Sequence, residues 1–179
     1  MPFAVTHILV PIVIVDLIRH HILEKEHIQK HSFSMWYVLI AGLAGLLPDI
    51  DFVVQWVYNY LFSTNIYIHR TFTHTIYPVI AVFVFAVLFY VWKFKLFGFT
   101  NKQYSLLFFM LFAGFFTHVL LDCSITGEID LLYPFEETSF CRGLIREDIS
   151  GVKLAGLDAI LLIIWLIYEE QRHKIRDFL

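Results

Sequence analysis

Long apolar runs separated by short polar stretches dominate this chain. A membrane-spanning helix needs about 17–25 predominantly apolar residues. Five stretches reach or approach that length: Pro2–Ile18, Trp36–Phe62, Ile76–Trp92, Ser105–Leu121 and Leu154–Tyr168. The third and fourth contain no Asp, Glu, Lys or Arg. The first is interrupted by His7 and Asp16, and the short fifth by Asp158. The pattern predicts an all-α fold, a polytopic membrane helix bundle with about five transmembrane helices in a single domain, 1–179. The first stretch lacks a basic amino-terminal region and a small-x-small cleavage site, so it is expected to remain a span rather than act as a cleaved signal.

Composition agrees with the pattern. Of the 179 residues, 59% are hydrophobic and 16% charged, against about 45–50% and about 25% in soluble domains. This excludes a disordered chain and argues against a soluble globule. Thirteen Lys and Arg face sixteen Asp and Glu, so there is no basic footprint and no nucleic-acid partner is expected. Two cysteines are neither a disulfide framework nor a Cys-based zinc site; Cys123 and Cys141 either pair or remain packed thiols. The pattern leaves the oligomeric state open.

Five spans put nine Lys and Arg in the connectors on one side, among them Arg19, Lys93 and Arg172, and four on the other: Arg70, Arg142, Arg146 and Lys153. The positive-inside rule makes the first side cytoplasmic. The amino terminus and the Asn65–His74 and Asp122–Gly151 loops then face outward.

Ionisable residues inside spans are costly and mark function. A helix rises about 1.5 Å per residue, which places His7 about 18 Å, Asp49 about 20 Å, His118 about 21 Å, Asp122 about 27 Å and His74 about 28 Å from the cytoplasmic end of their spans. Groups from four stretches therefore fall in one slab of a hydrocarbon layer about 30 Å thick. His118 and Asp122 share a helix face at i,i+4. Asp49 and Asp51 do not share one, but Pro48 breaks the helical ladder beside them. His69 and His74 flank Arg70 and Thr73 just ahead of the third span. Each feature alone is an ordinary structural one. At matched depth, His7, Asp49, Asp51, His69, His74, His118 and Asp122 form a candidate ligand set for zinc, manganese or iron.

Other polar residues have plainer readings. Asp158 is a helix–helix hydrogen bond or an acceptor for a ligating imidazole. Asp16 pairs with Arg19. His20, His21, His27 and His31 form a solvated face. The Glu128–Glu137 loop is a candidate lid.

The motifs Thr6-His7, Leu47-Pro48-Asp49-Ile50-Asp51, His69-Arg70-Thr71-Phe72-Thr73-His74-Thr75 and Thr117-His118-Val119-Leu120-Leu121-Asp122 occur in that order. Together they resemble the YdjM-type family of membrane-bound metal-dependent hydrolases, over about the first 135 residues. Departures are Phe52 where the family usually has His, Thr71 where it has Gly, and Ser124-Ile125-Thr126-Gly127 where it has Thr-Pro-x-Gly. The resemblance implies a distant relation to zinc-dependent phospholipase C and single-strand nucleases, helical enzymes that cleave phosphodiesters.

On this reading the chain is a metal-dependent hydrolase, phospholipase-like, of a phosphoester in a lipid or lipid-linked substrate in the cell (inner) membrane. One to three divalent ions, zinc before manganese or iron, activate water. Asp49 or Asp51 bridges ions or acts as general base. Arg70 matches a phosphate oxygen, with Thr73 and Thr75 as further substrate donors. The rivals are a divalent-cation transporter or channel, which typically carries an inverted repeat not found here, and a non-catalytic membrane subunit with a structural metal.

Overall fold

The computed structural model describes residues 4–26, 33–92, 95–96, 98–125, 127, 129–135, 141, 143–144 and 151–173. Six α-helices run through them: α1 (Ala4–Glu26), α2 (Met35–Ala44), α3 (Ile50–Phe62), α4 (Ile76–Val91), α5 (Asn101–Ile125) and α6 (Gly151–His173). A 3₁₀ turn, Phe72–His74, precedes α4. Between α4 and α5 the strands β1 (Lys95–Leu96) and β2 (Phe99–Thr100) pair antiparallel. The fold class is therefore all-α, as the apolar pattern predicts.

Helix α5 is the hub. It packs on α4, α2 and α1, while α1 also packs on α2 and α6. Ile12, Val15, Val38, Ala41 and Met110 form the core between α1, α2 and α5. In lipid, apolar side chains gain little by leaving their surroundings, so close backbone approach holds helices together. Gly114 shows this: a Cβ there would lie 2.5 Å from the Ala41 carbonyl oxygen and from the Ala44 Cβ.

Two helices among the described residues are long and apolar enough to cross a membrane, α1 over Ala4–Ile22 and α5; α2 and α4 are apolar but shorter. The expected span Trp36–Phe62 is not one helix. Helix α2 has ten residues, or about 15 Å at the helical rise, half of a hydrocarbon layer. It ends at Gly45, three tight turns follow (Leu46 N to Leu43 O, Leu47 N to Ala44 O, Asp49 N to Leu46 O), and α3 starts afresh at Ile50. Pro48 accounts for the break: it lacks a donor and biases Leu47 away from helix.

Helix α6 meets α1 through polar pins as well as apolar contact. Thr6 Oγ1 donates to Asp158 Oδ1 and Thr6 N to Asp158 Oδ2 at 3.4 Å, so Asp158 makes the helix–helix bond rather than supporting an imidazole. Farther along α1, Asp16 lies 3.7 Å from Arg19, both buried. His27 and His31 lie outside the described residues, as do 128, 136 and 137 of the expected lid. The described part of that loop is docked. Ile129 is buried, the Leu131 carbonyl accepts from Ile76 N at 3.0 Å, and the Leu132 carbonyl accepts from the Tyr77 hydroxyl at 3.2 Å. A disulfide joins Cys123, at the end of α5, to Cys141.

Candidate metal centre

Helix α5 presents His118 and Asp122 one turn apart on the face toward α1, both fully buried. From α1 the His7 ring stacks on His118 with centroids 3.9 Å apart, and His7 Nε2 lies 3.4 Å from Asp122 Oδ1. His118 Nδ1 donates to the Gly45 carbonyl at 2.6 Å. A carbonyl only accepts, so the proton sits on Nδ1 and the Nε2 lone pair faces the cluster. Gly45 can be so placed because the chain bends there; a Cβ at this position would run into the His7 backbone.

The break after α2 delivers the acidic pair. Asp49 occupies the N-cap position of α3 without a side-chain capping bond, and Asp51 sits in its first turn. Opposite them runs the segment between α3 and α4, held by two amides of α3. Asn59 Oδ1 accepts from Thr64 Oγ1 at 3.0 Å and Ile66 N at 2.9 Å. One turn earlier, Gln55 Oε1 accepts from Ile68 N at 2.7 Å and His69 N at 2.9 Å. These bonds present His69 to Asp51. Arg70 then takes a left-handed backbone, φ 65°, and the 3₁₀ turn brings His74 in behind it.

Asp51 serves as a hub among these residues. Its Oδ1 accepts from His69 Nδ1 at 2.8 Å, and its Oδ2 accepts from Arg70 N at 3.1 Å and Thr73 Oγ1 at 2.5 Å. His74 Nδ1 is 3.4 Å from the same Oδ2. With Nδ1 of His69 donating to a carboxylate, its Nε2 carries the lone pair, the arrangement in which carboxylates orient metal-binding imidazoles.

The remaining ligand atoms converge. His74 Nε2 lies 3.1 Å from His118 Nε2, 3.3 Å from Asp49 Oδ1 and 3.7 Å from Asp122 Oδ2. His118 Nε2 lies 3.6 Å from Asp49 Oδ1 and 3.7 Å from Asp122 Oδ2. Tetrahedral zinc with bonds of about 2.0–2.1 Å holds its ligand atoms about 3.3 Å apart, so these spacings suit one ion. Two triads, His7–His118–Asp122 and Asp49–His69–His74, each bring their ligand atoms within 4.8 Å of one another. Buried His7 Nδ1 and Asp49 Oδ1 make no hydrogen bond within the protein, which in a folded core calls for an explanation such as an ion. Burial lowers the pKa of His74, but the carboxylates of Asp49, Asp51 and Asp122 around its ring outweigh it, raising it to about 9.

All seven expected ligands thus meet in one cluster, from four separate stretches of chain. They differ in surroundings: six belong to the two triads, whereas both Asp51 oxygens are engaged with His69, Arg70 N and Thr73. The Thr73 hydroxyl is on Asp51 and the Thr75 hydroxyl on the Phe72 carbonyl at 2.8 Å. Sequence reading missed Gln55 and Gly45. Gln55 left a signal, a lone amide in an apolar run. Gly45 acts through a carbonyl and left none.

The fold and this cluster define a helical membrane protein with a buried histidine–aspartate centre. The chain matches the YdjM inner membrane protein family over residues 1–175 and belongs to that family. Neither the curated proteins nor the solved structures give a match.

Proposed function

We propose that this protein is a multi-pass, membrane-embedded, metal-dependent hydrolase of a phosphoester in a lipid or lipid-linked substrate. The observation that carries this reading is the convergence of His74 Nε2, His118 Nε2 and Asp49 Oδ1 at the edge lengths of a tetrahedral ion. Asp49 is also the reachable member. Its side chain is 32% exposed, against 0% for His74 and 1% for Asp122. A centre that only stapled helices would have no use for an open side.

His74, His118, Asp49 and Asp122 would hold one divalent ion, zinc before manganese or iron, and His7 and His69 are the members of the two triads left for another. A bound ion of this kind lowers the pKa of its water and neutralises phosphoryl oxygens. Asp51 orients His69 and His74. Asp49 stands where it can bridge ions or, where it does not ligate, accept a proton. Arg70, on its left-handed backbone beside His69, binds a phosphate oxygen through its guanidinium. The site faces the extracytoplasmic side: the nine-to-four charge count points that way, and so does the Cys123–Cys141 disulfide next to Asp122, since disulfides persist in oxidising compartments.

The test is elemental analysis of detergent-purified protein beside His118→Ala, followed by phospholipid and phosphodiester hydrolysis assays. Stoichiometric metal that His118→Ala loses, with phosphate-ester cleavage that follows the metal, is the expected result. Absence of metal after reconstitution, or a full metal load with no hydrolysis across those substrates, would overturn the proposal.

A further inference from the structure

Beside the metal centre a cavity of about 550 Å³ runs along the break between α2 and α3. Leu47, Ile50, Phe52 and Val53 form its walls, and Asp49 and His69 lie at its polar end. Ile50 and Val53 lie one turn apart on α3 and are exposed, as are Leu47 and Phe52. Phe52 is fixed by edge contact with the His69 ring, centroids 5.8 Å apart. Asp51, on another side of the same turn, is buried in the ligand cluster. The first turn of α3 therefore divides its labour: one side orients histidines, the other lays an apolar surface that ends at the reachable carboxylate.

We infer that this groove receives the hydrocarbon chain of an anionic amphiphile whose head reaches the ligand cluster at Asp49, so that substrate enters sideways from the bilayer and Val53 and Phe52 select for the chain. The inference rests on the metal-centre reading of the preceding subsection. The occupant follows from complementarity. The walls offer no charge and no hydrogen-bond donor, which suits an alkyl chain. The end offers one carboxylate, Asp49, and one imidazole, His69, suited to a cation, with Arg70 following His69 in the chain, which together suit an anionic head. A water-soluble phosphoester would use the end and leave the walls wet. A chain lying along them would keep its head at the centre through proximity, and a chain taken up from water, as in the test below, would gain further binding from burial of its methylenes.

Zinc-loaded protein in amphipol is titrated with methylphosphonate and with octylphosphonate, by calorimetry. The expected result is that the octyl compound binds at least about tenfold tighter. Val53→Trp, which fills the groove, should remove that gain while leaving zinc content and methylphosphonate affinity unchanged. Val53→Ala, a milder change at an exposed position, should reduce the gain several-fold and decides the matter where the Trp variant fails to fold. Equal affinity for the two phosphonates, or an octyl gain that survives in both variants, overturns the groove and leaves the metal-centre reading standing. If neither phosphonate binds zinc-loaded protein, the phosphoester reading falls and takes the groove with it.

Discussion

At one end of α1, Asp16 and Arg19 are buried 3.7 Å apart, Arg19 Nε donates to the Phe33 carbonyl at 2.7 Å, and Glu169 of α6 is buried beside them. At the other end, Asp49, Asp51 and Asp122 are buried or half-buried among four histidines. Both clusters take charge out of water, which costs several kcal/mol per ion unless it is paired. The first brings its own permanent cation, a guanidinium that cannot lose its proton. The second faces its carboxylates with imidazoles, two of them held by Gly45 and Asp51 so that Nε2 presents a lone pair. A guanidinium neutralises a carboxylate; an imidazole lone pair joins the carboxylate in binding the same ion. The contrast teaches that the composition of a buried charged cluster, rather than its burial, distinguishes a brace from a metal site.

The sharpest way to break this comparison is to cross the two ends. Asp122→Asn is expected to take metal content from stoichiometric to below about a tenth by elemental analysis, since a neutral amide binds a divalent ion far more weakly than a carboxylate. Arg19→Met is expected to leave metal content intact while lowering stability by about 3–5 kcal/mol in denaturant titration, because Asp16 then stays buried without its cation. Metal lost from Arg19→Met, or kept by Asp122→Asn, would mean the ends do not differ as described.

A smaller effect separates Asp51 from the triads. Asp51→Asn keeps the shape but removes the charge on His69 Nδ1, and metal affinity should fall about 10–100-fold without vanishing. Loss as complete as in Asp122→Asn would make Asp51 a ligand after all.

The remaining effect is the pH dependence. His74 has its pKa raised from 6.5 to about 9 in the metal-free site. Its proton therefore stabilises metal-free protein fully below pH 6.5, and this contribution is lost as pH rises toward about 9. Metal competes with the same proton, so apparent metal affinity should climb through that window and level off above it. A chelator competition series from pH 6 to 9.5 on wild type reads the slope; a flat profile would show that His74 binds no ion.

Much of this was legible along the chain. The helical class follows from apolar runs too long for strands, and His118 and Asp122 share a face because the helical period dictates it. His7 and His118 could be placed at nearly one depth because rise per residue converts count into height along the unbroken helices α1 and α5. Depth is one coordinate of three, however. Rotation about each helix axis, and therefore who faces whom, comes from packing, and so Asp51 and Asp49 looked equivalent. The same limit hid the Thr73 and Thr75 hydroxyls, the first taken up by Asp51 of α3 and the second by the Phe72 carbonyl in the 3₁₀ turn.

What the sequence by itself determined was the set of residues able to hold an ion, and the break at Pro48 that frees two of them from helical geometry. Only the tertiary structure decided the division of roles: Asp49 toward the open side, Asp51 inward onto His69, Gly45 fixing the His118 tautomer. That division depends on contacts between residues up to 73 positions apart, and a carbonyl or a side-chain direction carries no mark in a string of residue types.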